Sequence, residues 1–160
     1  MQLVSDKSKK MLTSQGVFSE AELQSRFHVR IERYVKVLTI EVHALAQLVD
    51  TVVLSTALTY HSRLAKGAAS AKAAGLTAPQ AEAAERVAHL VSLLITRRKA
   101  LDAAFSKADA KSSEEAKAEA LATDVSHAML EVRHVCDELE GTVADELWPL
   151  PKYREMLFLS

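Results

Sequence analysis

Residues 19–74 have the sequence SEAELQSRFHVRIERYVKVLTIEVHALAQLVDTVVLSTALTYHSRLAKGAASAKAA, and this stretch decides the fold. Its apolar residues recur at alternating steps of three and four, which is the spacing of one face of an α-helix. The members of this stripe are Leu23, Phe27, Ile31, Tyr34 or Val35, Leu38, Val42, Leu45, Val49, Val52, Thr56, Tyr60 and Leu64. No proline interrupts the stretch. We therefore predict one helix in which the stripe extends over about ten turns.

Local signals mark both ends of this helix. Ser19 with Glu22 three residues later forms a capping box at the start. Two glycines are alternatives for the end. Gly67 stops the helix early, whereas Gly75 followed by the apolar Leu76 has the arrangement of a Schellman cap. We prefer Gly75, because it also gives a tight hairpin to the next helix.

The remaining sequence predicts an all-α protein. Few glycines and prolines, four and three in 160 residues, argue against a β-sandwich or barrel. We expect a long helix at about 19–74 and two shorter antiparallel helices folded back on it, at about 78–108 and 113–144. This is a helical hairpin or three-helix bundle. Thr77 and Ser112 are the expected caps of the shorter helices. Residues 1–18 form a polar arm without regular structure, the bundle spans 19–146, and a Trp- and Pro-containing docking tail spans 147–160.

Helix lengths lead to a hypothesis about partners. The long helix is about 80 Å long and each shorter helix about 45 Å. Two helices folded back from Gly75 would then cover only the half of the long helix that follows Val42. The apolar residues left over are Leu23, Phe27, Ile31, Tyr34, Val35 and Leu38. A row of this size is costly to leave in water. Either the helix bends near Thr39 and pairs with itself, or a second copy or another protein surface covers the row.

No residue pattern indicates catalysis or metal binding. Glu131 and His134 have the Glu-x-x-His spacing of di-iron bundles, but the second copy that such a site needs is missing from the sequence. There is no glycine-rich phosphate loop and no Gly-x-Ser-x-Gly elbow. Cys136, the single cysteine, is interpreted as a core residue in a reducing cytosol. We therefore predict no catalytic, cofactor-binding or metal-ligating residue in the chain.

The bulk charge and hydropathy exclude two kinds of partner. With 20 basic and 21 acidic residues, the net charge is −1, so no nucleic-acid partner is expected. The most apolar stretch, 44–60, contains Gln47, Asp50, Thr51, Ser55 and Thr56 and is too short and too polar for a membrane span. The N-terminal residues carry lysines without an apolar core after them, unlike a signal peptide. We expect a soluble, cytoplasmic protein without a membrane partner.

Two segments resemble a known family. The first is GVFSEAEL at 16–23, with SRF at 25–27, ERYVK at 32–36 and IE at 40–41. The second and more specific is the tail LWPLPKYREMLF at 147–158. Both are similar to the C-terminal region of type III glutamine synthetases, and together they cover about a quarter of the chain. The Ala-rich middle has no signature of its own, but its helical pattern fits the helical C-terminal domain of that family.

The resemblance implies a non-catalytic domain of a larger enzyme. The parent would join ammonia to glutamate with ATP and Mg or Mn ions, and the motifs for those groups precede this region in the family. None of them occurs here, so no catalytic role is carried over to any residue. The domain would serve packing, assembly or regulation, within a homo-oligomer. The alternative is a standalone helical module that associates with itself. Residues expected to pack on the parent or on another copy are Phe27, Ile31, Tyr34, Leu38, Trp148, Tyr153 and Phe158.

Overall fold

The computed structural model describes residues 4–152 and 155–156. Helix α1 spans Asp6–Ser14. Helix α2 is continuous from Glu20–Leu48 through a π-helical turn at Val49–Val53 to Leu54–Ala73. Helix α3 spans Gln80–Asp109. Helix α4 runs without a break through Glu114–Ala120, a π-helical turn at Leu121–Val125 and Ser126–Thr142. The all-α prediction with one long helix is confirmed.

The predicted caps of α2 are present at both ends. The backbone N–H of Glu22 donates to Ser19 Oγ (3.2 Å) and the backbone N–H of Ser19 donates to Glu22 Oε2 (2.8 Å). The pKa of Glu22 is lowered by the bond from the Ser19 N–H and then by a second bond, which the Ser19 hydroxyl donates to Glu22 Oε2 (2.8 Å). At the other end Gly75 has φ +73°, and the Leu76 N–H bonds the Ala71 carbonyl (2.9 Å), as in a Schellman cap. The helix therefore passes Gly67 and ends at Gly75.

Three local predictions are wrong. The arm expected to lack regular structure contains α1, capped by the Ser5 side chain. Helix α3 begins after Pro79 without a side-chain cap, so Thr77 does not have the expected role. Helix α4 is capped one residue later than predicted, because Ser113 Oγ accepts the Ala116 N–H (3.2 Å). The two capping errors concern short turns with more than one candidate residue, Thr77 or Pro79 and Ser112 or Ser113, between which sequence alone chooses poorly.

Helices α2, α3 and α4 form a three-helix bundle, and side-chain contacts fix its order. Helix α3 returns antiparallel to α2, since Arg98 of α3 lies 3.1 Å from Asp50. Further along α3, the rings of Phe105 and His43 meet edge to face at 5.2 Å. Helix α4 then reverses again and is tied to α3 by Arg97 and Glu131 (3.1 Å). The chain therefore runs along the bundle three times.

The path of α4 overturns the length argument. Helix α4 starts beside the early part of α2, where Glu115 lies 3.7 Å from His28, and the segment after it reaches the late part, where Glu146 pairs with Arg63. It covers the half of α2 that was expected to be bare, because it begins further along the bundle than the end of α3. Helix α1 also folds back near the start of α2, with Lys9 3.8 Å from Glu20. Helix α2 runs past Thr39 without a break, so the chain does not fold back there.

The core lies along the axis shared by the three helices. The largest fully buried side chains of this cluster are Val49, Val87, Leu94, Leu101, Leu121, Val125, Val132 and Leu139. The two π-helical turns each contribute to this set, at Val49 and at Leu121. A π turn holds an extra residue and so rotates the side chains that follow it. The turn in α2 therefore keeps the buried stripe directed at the core as the helix continues.

The start of the tail is anchored to the bundle. Trp148 is buried with the core residues, after a 3₁₀ turn at Asp145–Leu147. The Lys152 side chain is also buried, and its Nζ donates to the Glu140 carbonyl (3.0 Å) and to Asp145. Docking of the tail is thus visible up to Lys152. Tyr153 and Phe158, two of the predicted packing residues, lie outside the described residues.

Candidate functional site

Helix α2 carries a second row of exposed side chains, with apolar members, that the other described residues leave in water. Ile40 is 67% exposed, Leu58 51% and Leu48 44%. They belong to a set of exposed, uncharged residues that recur every three or four positions between Lys36 and Arg63. We call this set the outer face: Val37, Ile40, Ala44, Gln47, Leu48, Thr51, Ser55, Leu58, Thr59 and Ser62. An exposed face that carries large apolar side chains among small uncharged ones is a candidate interaction surface.

The charged residues within this span are turned to the sides. Asp50 accepts an N–H from Arg98 of α3, whose side chain is largely buried. Burial alone would lower the pKa of Arg98, but bonds with Asp102 and Asp50 outweigh it and raise that pKa. Glu41 lies on the other side, in the lining of a groove between α2 and α4. The outer face is therefore free of charge between its two flanks.

That groove is the second candidate surface. It has a volume of about 620 Å³ and lies between Leu38 and Leu45 of α2 and Met129 and Leu130 of α4. Met156 of the tail closes one part of it. Its rim is charged, with Glu41, Arg133, Asp137 and Glu140. An apolar floor with a charged rim suits an amphipathic protein segment better than a small polar ligand.

The structure separates the predicted packing residues by environment. Phe27 is 8% exposed and is covered by the chain's own helices. Ile31 and Leu38 are half-buried, and Tyr34 is 38% exposed beside Glu115 and Ala118 of α4. Trp148 is buried in the core. Packing of these residues on a partner stays a prediction, now restricted by exposure to Tyr34, Ile31 and Leu38.

The structure places the side chains that the sequence raised as candidates for metal binding or nucleophilic attack. No group of three or more His, Cys, Asp or Glu side chains among them is placed to hold a metal ion. Glu131, half of the Glu-x-x-His pair, is bound to Arg97 at 3.1 Å. Burial, with a smaller effect from Asp137, raises the pKa of the Cys136 thiol to about 11, so the thiolate needed for nucleophilic attack is not formed at neutral pH.

By length and apolar composition α2 qualifies as a membrane span, the one helix of the described residues that does so. The sequence interpretation had judged residues 44–60 too short and too polar. Helices α3 and α4, which pack beside α2, argue against placing it in a membrane. They carry ionised side chains along their length, among them Arg97 and Glu131 between α3 and α4 and Arg133 and Asp137 on α4. A bilayer around α2 would have to take up these charges too, at a high cost.

Sequence reasoning missed the outer face because it followed a single stripe. Ile40, Leu48 and Leu58 fall between the positions of the buried row, so a search for one helical period assigns them to solvent. A usable signal was present, however. From Val37 to Ser62 every exposed residue apart from Glu41, His43 and Asp50 is uncharged. A solvated helix face of this length normally carries several ions.

Comparison with known proteins agrees with the resemblance. A family model described as "Glutamine synthetase C-terminal domain" matches residues 1–72. The chain is 33% identical over 162 residues to "Type-3 glutamine synthetase" of Dictyostelium discoideum, a match that covers 97% of this chain and 22% of that protein. It is 29% identical over 165 residues to "Glutamine synthetase" of Bacteroides fragilis, covering 99% of this chain and 23% of that protein. The chain thus spans less than a quarter of the length of these relatives.

Proposed function

The chain is homologous, over nearly its whole length, to the C-terminal part of type-3 glutamine synthetases, and from this relationship we propose that it acts as a non-catalytic helical domain of such an enzyme. The observation that carries the proposal is the coverage: 97% of the chain aligns with only 22% of the Dictyostelium protein. The parent reaction would be the ATP-dependent ligation of ammonia to glutamate. The remaining three-quarters of the parent would carry that chemistry.

The implied cofactors of the parent do not fit this chain. ATP with Mg or Mn ions requires clustered carboxylates and a phosphate-binding element. Among the described residues no such carboxylate cluster exists. The chain's own contribution to the proposed function is therefore mechanical: a bundle with its own core presents the outer face and the groove to other parts of the enzyme. Packing, assembly or regulation are the roles open to it.

The exposed apolar side chains favour a domain that packs against other parts of an enzyme over a domain that is free in solution. Ile40, Leu48 and Leu58 on one side and Leu130 on another are each at least 44% exposed. In a domain of a larger enzyme these side chains would gain about 25 cal/mol for each Å² of apolar surface removed from water. We further propose that the parent is a soluble, cytoplasmic homo-oligomer, in which neighbouring subunits supply part of that cover.

The test compares three recombinant proteins made from the parent: the whole enzyme, the enzyme without this region, and the 160-residue chain. We expect ATP-dependent glutamine formation by the whole enzyme and none by the chain alone. We expect the truncated enzyme to change in subunit assembly or thermal stability, both measured by light scattering and calorimetry. Glutamine formation by the isolated chain would contradict the proposal, as would a truncated enzyme with unaltered assembly, stability and regulation.

A self-associating module is the second candidate function. It is favoured by the same exposed side chains of the outer face, which a second copy could cover. It predicts a concentration-dependent dimer of the isolated chain and a native protein of the size of this chain.

A further inference from the structure

Basic side chains that have no ion-pair partner among the described residues lie beyond both ends of the outer face. Arg33 and Arg30 lie one and two turns before it, respectively, and Lys66 lies one turn after it. All three are exposed, and within the described part of the chain none has a carboxylate within ion-pair distance. The nearer basic residues, Lys36 and Arg63, do have partners, Glu32 and Glu146. The surface is therefore uncharged in the middle and basic at both ends.

This charge pattern disfavours a second copy as the occupant. A two-fold dimer joins the same patch on both subunits. If the two helices run antiparallel about the middle of the face, Arg33 of one copy lies opposite Lys66 of the other. If they run parallel, Arg33 meets Arg33 and Lys66 meets Lys66. Both arrangements bring like charges together at the ends of the face, and their repulsion works against association.

The area of the face also falls short of what a free dimer needs. The stretch 37–62 is about 39 Å long, and a helix is about 10 Å wide. The face thus offers roughly 400 Å², whereas stable complexes bury about 800 Å² on each partner. A surface of half that size can still hold a domain that is covalently tethered, because the tether raises the effective concentration of the two surfaces.

Resting on the function proposed above, we infer that the outer face docks on the catalytic part of the same polypeptide, at a surface with an apolar centre and acidic ends. Ile40, Leu48 and Leu58 fill the apolar centre. Arg30 and Arg33 at one end and Lys66 at the other meet carboxylates of that surface. More than three-quarters of the relatives' length lies outside this region and supplies the partner.

The test is zero-length carbodiimide cross-linking of the native protein, which joins lysine amines directly to carboxylates in contact with them. Peptide mass spectrometry then locates the joined residues. In the product that still migrates as a single polypeptide on denaturing electrophoresis, we expect Lys66 to be joined to Asp or Glu residues that lie outside this 160-residue chain. Joining only to Asp or Glu of a second copy of this region, or no joining at all, would overturn the inference.

Matched variants separate docking from general stability. Ile40→Asp with Leu58→Asp places two charges in the apolar centre, and we expect at least a tenfold loss of the Lys66 cross-links. The control is Leu76→Asp, at a residue that is 66% exposed in the turn between α2 and α3 and outside the face. It should leave the cross-links unchanged. Circular dichroism verifies that both proteins stay helical. Equal yields in the two variants would contradict the assignment of this face.

Two further measurements identify other occupants. The isolated chain should sediment as a monomer and should not float with phosphatidylcholine–phosphatidylglycerol vesicles. A dimer abolished by Ile40→Asp would assign the face to a second copy, and flotation would assign it to a membrane; each overturns the inference. If the native protein is several times larger than the chain but Lys66 is not joined to residues outside it, the docking inference is wrong and the proposed function still stands. A native protein of the chain's own size overturns the proposed function instead.

Discussion

Helix α2 has two apolar faces with opposite fates. On the inner face Val42, Val49 and Val53 are at most 3% exposed, whereas on the outer face Leu48 and Leu58 are about half exposed. The residue types are alike and the helix is the same, so side-chain apolarity does not tell the two faces apart. The difference lies in what surrounds them: α3 and α4 cover the inner face, and the described chain offers nothing for the outer one. The inner face stabilises the fold, and the outer face is available for docking.

The largest expected effect on stability comes from comparing two aspartate substitutions at neighbouring positions, one on each face. Val49→Asp buries an unpaired carboxylate in the core, which costs at least about 4 kcal/mol. Leu48→Asp places the same group in water and should alter the free energy of unfolding by less than about 0.5 kcal/mol. Urea denaturation of both variants, followed by circular dichroism, measures the difference. Similar losses in the two proteins would mean that the outer face is covered within the chain itself.

A smaller effect is expected at the arginine that keeps Asp50 away from the outer face. The Arg98 side chain is 14% exposed and binds both Asp50 and Asp102, so Arg98→Met should cost about 1–3 kcal/mol. The matched control is Arg97→Met. Arg97 is 44% exposed in its pair with Glu131, and such a pair contributes under about 1 kcal/mol. The ranking is wrong if thermal unfolding shows Arg97→Met to be the more damaging substitution.

The length of both faces depends on where α2 ends. Alanine substitutions at Gly75, which ends the helix, and at Gly141, which lies inside α4, test that position. Gly75 has φ +73°, so Gly75→Ala should destabilise the chain by about 1 kcal/mol. Gly141 lies inside α4 with open space at its Cβ position, so Gly141→Ala should stabilise by about 0.5–1 kcal/mol. Chemical denaturation gives both values. Stabilisation by Gly75→Ala would show that the helix does not end in a left-handed residue.

The smallest effect concerns Cys136 on α4. Because burial, and then Asp137, raises the pKa of its thiol from 9.0 to about 11, the folded state holds a proton that the unfolded state loses first. The resulting stabilisation is present below pH 9 and is lost as the pH rises toward 11. At pH 8 the native thiol should react with a disulfide reagent at least tenfold more slowly than the unfolded chain. Equal rates would place Cys136 at an open surface.

The architecture could be predicted from the sequence because its signals are long or redundant. The stripe on α2 repeats over many turns, and the capping box at Ser19 and the Schellman cap at Gly75 are each marked by two residues. The path of α4 could not be predicted in this way. It depends on how far the turn at 110–113 carries the chain along the bundle before Glu115 reaches His28. Helical periodicity predicts that two helices pack against each other, but it does not predict how far one is shifted along the bundle axis relative to the other.

The candidate site was predictable only in part. Tyr34, Ile31 and Leu38 keep part of their area exposed, so their packing on a partner stays a prediction, whereas Phe27 and Trp148 are covered by the chain. Ile40, Leu48 and Leu58 were missed because they lie outside the main apolar stripe. Whether such a residue is buried or exposed depends on which helices pack beside it, and the sequence pattern does not give that. The family resemblance compensated for this gap, because it rests on short motifs whose significance does not depend on burial.

The central claim is that this chain functions as a domain of a larger enzyme, and the mass of the native protein tests it most directly. An antibody raised against the 160-residue chain would be used to probe an extract of the source cells after denaturing electrophoresis. The account predicts a band several times larger than 17.5 kDa, as the 22% coverage of the Dictyostelium relative implies. A single band at about 17.5 kDa would contradict it and would make self-association of the outer face the leading account.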